Sequence, residues 1–219
     1  MYNEQRVNKT LHIVLEILNK HEVEYRFLGS LVTAAINGSL HRHLGDLDLL
    51  VDETKKETLL KEFQQVGYKR AGGMFAFSRK YMSLETLVHD ELLSVGYFWG
   101  RFGDYEGFRM GSQFIKVSIK PQSVVPTTYH LDGYTFVGIP ERAVAVGIMQ
   151  SASNPKRKKE VEMLARKKIK PFPDEGISIR VLGIPFDWVY TISMRVLNVL
   201  GKIRVLSGLP FDPWRSKIG

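Results

Sequence analysis

The sequence predicts an α+β fold: a mixed sheet with helices on one face, followed by a mostly helical C-terminal part. Up to Gly67 helical and extended patterns alternate, the middle of the chain is rich in short runs with strand periodicity, and beyond Pro140 helix-starting signals take over. These shifts divide the chain into a mixed core over residues 1–138 and a helical region over residues 139–219.

Val7, Leu11, Val14, Leu15 and Leu18 recur at helical spacing, which predicts an opening helix over residues 3–20. Residues 25–28 form a short strand, Gly29-Ser30 a turn, and residues 31–36 a helix stopped by Asn37-Gly38. A further strand carries Asp46-Leu47-Asp48 into Leu49, Leu50 and Val51. Thr54 and Glu57 have the spacing of a capping box for a helix through Leu59, Leu60 and Phe63 that ends at Gly67. Residues 68–70, 74–79 and 82–89 read as strands, the last two as a hairpin around Lys80-Tyr81. The glycines and aromatics from Gly96 to Phe108 read as turns and short strands, and residues 114–119 as another strand. After a loop between Pro121 and Pro126 comes a last strand at 134–137. Helices are expected from Pro140, near Pro155 and near Phe186, the last with an apolar stripe of Trp188, Tyr190, Ile192, Val196, Leu197 and Leu200 that packs on the core, with a partner-binding helix as the alternative.

With 219 residues and 44% hydrophobic content the chain can bury one large core or two small ones. It contains no cysteine, which excludes disulfides, thiolate metal sites and a thiol nucleophile. No apolar run is long enough to span a bilayer and residues 1–10 lack a signal-peptide pattern, so a cytoplasmic protein with no membrane partner is expected. The net charge of +8 favours a polyanionic partner or phosphate-rich substrate over a cationic one. The densest basic cluster is Lys156-Arg157-Lys158-Lys159, with Arg166-Lys167-Lys168 and Lys170 following at helical distances. Neither a phosphate-loop motif, nor a dinucleotide fingerprint after a strand, nor a serine-hydrolase elbow occurs.

Two carboxylates one residue apart on a strand point the same way, so Asp46 and Asp48 can grip a hard divalent cation while Leu47, Leu49 and Val51 are buried on the other face. A glycine-serine turn that closes a strand and opens a helix supplies amides and a hydroxyl for phosphate oxygens, although Ser30 would serve equally as a helix N-cap.

Phe27-Leu28-Gly29-Ser30 followed by Asp46-Leu47-Asp48 resembles the signature of the DNA polymerase β-like nucleotidyltransferase superfamily. The connection from Leu31 to Gly45 looks closest to its small antibiotic-modifying and toxin-type branch. The resemblance implies a nucleotidyltransferase core and the transfer of a nucleoside monophosphate from a nucleoside triphosphate, such as ATP, to a hydroxyl, with loss of pyrophosphate. It implies Mg2+ or Mn2+ in a two-metal site on Asp46, Asp48 and a third carboxylate, Glu85 in preference to Asp90. Gly29 and Ser30 would hold the triphosphate, Arg42 would screen its charge, and Lys159 would reach toward the nucleotide, though a polar loop and a solvated helix face are the plainer readings of Arg42 and Lys159. RNA, tRNA among them, or a partner protein is the expected acceptor, as in toxin–antitoxin enzymes, since a basic chain repels aminoglycosides. The alternative is an inactive member serving as a nucleic-acid- or partner-binding module.

Overall fold

A computed structural model describes residues 3–72, 83–103, 107–152, 157–174 and 176–188, with 192, 195 and 199. Helix α1 (Glu4–Lys20) buries Val7, Leu11, Val14, Leu15 and Leu18, the stripe expected from its spacing. Strand β1 (Tyr25–Leu28) leads through Gly29 into helix α2 (Ser30–Asn37), which ends on Gly38 in the left-handed conformation at φ 86°. Strand β2 (Asp46–Asp52) returns antiparallel to β1 with Asp48 opposite Leu28. The expected capping box does not form. Instead the Asp52 side chain accepts a 2.7 Å hydrogen bond from the Thr54 amide and starts a short 3-10 turn that precedes helix α3 (Lys56–Gln65).

The remaining strands are β3 (Lys69–Arg70), β4 (Leu84–Val88), β5 (Ser94–Gly103), β6 (Gly107–Gly111), β7 (Ile115–Ile119), β8 (Thr127–Leu131), β9 (Tyr134–Gly138), β10 (Ile177–Val181) and β11 (Ile184–Pro185). Helices α4 (Glu141–Gln150) and α5 (Lys158–Arg166) lie between β9 and β10. All the described strands join one mixed sheet in the order β11-β10-β7-β6-β5-β2-β1-β9-β8, with β3 on β4 and β4 on β5. β5 is the structural centre, although its glycines read as turns in the sequence. A Cβ on Gly100 would lie 2.2 Å from the Arg109 carbonyl oxygen, so glycine is there to let neighbouring backbones approach.

In the C-terminal part α4 and α5 are followed by β10, which pairs antiparallel with β7 and extends the sheet, and beyond β11 the described residues Asp187, Trp188, Ile192, Arg195 and Val199 are helical. Of the apolar stripe expected near Phe186, the described Trp188 and Ile192 are exposed at 58% and 47% rather than packed. The strand expected at 74–79 lies outside the described residues.

Helices α1 to α5 share one apolar cluster with the sheet, which contains Leu47, Leu49 and Val51 of β2 and Tyr97 and Trp99 of β5. Tyr97 and Trp99 stack with ring centroids 5.0 Å apart. Truncating a fully buried leucine such as Leu49 to alanine in such a core costs about 2–5 kcal/mol. A smaller cluster of Leu50, Phe108 and Val124 forms on the opposite face. That second face is where the aspartates stand.

Candidate active site

Strand alternation puts Asp46 and Asp48 on one face of β2, with Leu47 and Leu49 turned into the core. The β1–β2 register brings the Gly29-Ser30 turn directly beside them. Gly29 holds φ 67°, and a Cβ built there would lie 3.4 Å from Oδ2 of Asp48. From the other side, a Cβ on Gly96 of β5 would lie 2.6 Å from Oδ1 of the same carboxylate. The two glycines therefore make the space in which the Asp48 carboxyl sits. Burial, and then the neighbouring charge of Asp46, push its pKa up to about 7. A divalent cation offsets both effects, so a pair of carboxylates in this cradle fits one.

The third carboxylate does not join them. Glu85 pairs with Tyr97 across β4 and β5, Tyr97 pairs with Leu49 across β5 and β2, and ladder partners share a face. Glu85 thus points into the helix-covered core, 1% exposed, where its carboxylate meets Arg70 at 3.0 Å. The residues that β5 presents beside the aspartates are Ser94, opposite Asp46, and Gly96, opposite Asp48. Asp90 lies in the turn between β4 and β5, and the described residues contain no cluster of three or more metal-ligating side chains. The structure therefore does not bring Glu85 to Asp46 and Asp48.

Ser30 does not cap α2. It occupies the first helical position, and its hydroxyl accepts a hydrogen bond from Nη2 of Arg42. Arg42 is in turn fixed by Glu160 of α5, whose Oε1 accepts from Nε of Arg42 at 3.2 Å and meets Nε2 of His41 at 3.0 Å. Arg157 donates to the other oxygen of Glu160 at 2.5 Å. Burial alone would raise the Glu160 pKa, but the bond to His41 and the charges of Arg157 and Arg42 outweigh it and hold the carboxyl down to about 2. This buried anion aims Arg42 at the start of α2, where the helix dipole and the guanidinium both favour an anion.

Lys159 lines a neighbouring cavity of about 370 Å³ with Thr33, Asn37, His41 and Arg166. The basic run around it is not a uniformly solvated face, since Arg157 turns inward and Arg166 reaches Oδ1 of Asn37 at 3.2 Å. Glu160, missed in the sequence, had a readable signal. It sits three and four residues before Met163 and Leu164, on the buried stripe of its helix.

No protein-family profile matches the chain, and no curated protein sequence does. Among solved structures, the chain is similar to lincosamide antibiotic adenylyltransferase LnuA in its lincomycin-bound form, at TM-score 0.57 and 15% identity over 72% of this chain and 95% of the other. It is similar to ANT(2'')-Ia in complex with adenylyl-2''-tobramycin at TM-score 0.53, with 12% identity over 89% of this chain and 96% of that one. The solution structure of ANT(2'')-Ia, described as an antibiotic-resistance factor, gives TM-score 0.55 and 11% identity over 91% and 92% of the two chains.

Proposed function

From the nucleotidyltransferase fold of the DNA polymerase β-like superfamily, which this chain has, we propose that it transfers a nucleoside monophosphate from a nucleoside triphosphate to a hydroxyl acceptor and releases pyrophosphate. One observation carries the proposal: Asp46 and Asp48 stand on one face against the Gly29-Ser30 turn, with the space of the Asp48 carboxyl kept open by two glycines. The amides of that turn and the start of α2 bind the terminal phosphates, and Arg42, held by Glu160, adds a donor. Asp46 and Asp48 hold Mg2+ or Mn2+, which when bound neutralises phosphate charge and polarises the phosphoryl oxygens. Ser94 lies beside Asp46 on β5 and orients what binds there. With a net charge of +8, an anionic acceptor, RNA or tRNA before protein, suits the chain better than the polycationic aminoglycoside seen on ANT(2'')-Ia.

A second reading, a nucleotide-binding module without transfer, is supported by Ser94 and Gly96 standing where a third carboxylate would face the pair, and by Glu85 lying in the core. Incubation with Mg2+ or Mn2+, each labelled triphosphate in turn, and total cellular RNA separates the two. Label in RNA that disappears in Asp46→Asn supports transfer. Saturable triphosphate binding with no labelled RNA, protein or small molecule supports the module.

A further inference from the structure

The half of the sheet beyond β5 carries a charge arrangement that the aspartate site does not use. Arg101 of β5 pairs with Arg109 of β6, and Lys116 of β7 pairs with Arg180 of β10. Arg109 also faces Ser118, and Ser118 faces Ser178. Ladder partners share a face, as do residues two apart along a strand, so all six side chains stand on one surface. It is the face of Trp99, opposite to Gly96 and Asp48. These residues line an open concavity of about 1030 Å³.

Like charges directly opposite one another weaken an antiparallel pair. Here that happens twice on one face, and all four cations are exposed. Among the described residues, Glu53 meets Arg101 at 2.7 Å, and Asp187 accepts from the Ser178 hydroxyl at 3.0 Å and the Ile179 amide at 2.7 Å. At about 4.8 Å per strand the cations spread over about 14 Å from β5 to β10, more than one phosphate group covers. Guanidinium, ammonium and hydroxyl groups in this spread match successive phosphates along a chain.

We infer that this face binds the phosphodiester backbone of a nucleic acid through Arg101, Arg109, Lys116 and Arg180. The inference does not rest on nucleotidyl transfer, and Asp46→Asn leaves the binding unchanged. The test is fluorescence anisotropy of labelled RNA and DNA single strands of one sequence, about 12 nucleotides long, titrated with the full chain. Four phosphate contacts predict a roughly 50-fold loss of affinity between about 50 and 200 mM salt. Lys116→Gln/Arg180→Gln lowers the salt slope by about 1.4 and weakens binding at least about tenfold at low salt, with folding verified by its thermal melt. Preference for RNA or for DNA identifies the source and supports the inference either way. Failure of both oligonucleotides to bind at low salt overturns it, as does binding that the double variant leaves intact. Tighter binding of poly-glutamate than of either oligonucleotide assigns the face to acidic proteins and also overturns it.

Discussion

The two carboxylate centres flanking α2 carry the same charge and answer its burial in opposite ways. Glu160 is enclosed by His41, Arg42 and Arg157, and its pKa is held down to about 2; Asp48, enclosed by two glycines and next to another aspartate, is pushed up to about 7. One centre contains its own counter-charges, and in the other a second carboxylate stands beside the buried one. The proposed anion site at the start of α2 and the proposed cation site on β2 therefore lie side by side, the arrangement that a metal-bound polyphosphate requires.

The largest effect is expected at the aspartate centre. Asp46→Asn lowers nucleotide transfer by about 10²- to 10³-fold or more, read as label incorporation, while the melting temperature stays level or rises. At the self-compensated centre the effect is on stability. Glu160→Gln leaves His41, Arg42 and Arg157 without their anion and costs about 3 kcal/mol, measured by urea unfolding at neutral pH. Loss of triphosphate affinity should accompany it, because Arg42 is then no longer aimed at Ser30.

The two centres also respond to pH with opposite sign. Glu160 has a folded pKa below its ordinary 4.5, so its contribution is present above pH 4.5 and is lost as the pH falls toward 2. Asp48 has a folded pKa above its ordinary 3.8, so the folded state binds the extra proton and stability declines as the pH rises from 3.8 through about 7. Without divalent ions, Asp48→Asn should therefore raise the melting temperature by a few degrees at pH about 8 and by less at pH about 5. Glu85→Gln should have the smallest effect, about 1 kcal/mol of stability from the lost pairing with Arg70, with transfer retained. Loss of transfer in a folded Glu85→Gln protein would return Glu85 to the active site.

Local patterns made part of this legible in advance. α1, β1, the glycine-serine turn, α2 and the aspartate strand were readable because each follows a single period over enough residues. β5 was not, since Gly96 and Gly100 have the composition of turns but are there for close packing against Asp48 and Arg109. Glu85 illustrates a different limit. Which face it takes depends on the pairing of β4 with β5 and of β5 with β2, and a shift of one residue would reverse it. The fixing of Arg42 by Glu160 joins residues 118 apart in sequence, and nothing local announces that contact.

Mn2+ binding, followed by electron paramagnetic resonance of the free ion with a non-hydrolysable triphosphate present, tests most directly whether Asp46 and Asp48 hold a cation beside a phosphate pocket. The wild-type chain should take up Mn2+ beyond what the triphosphate binds alone, and Asp46→Asn/Asp48→Asn should abolish that excess while Glu85→Gln preserves it. Equal uptake by the wild type and the double asparagine variant would contradict the account.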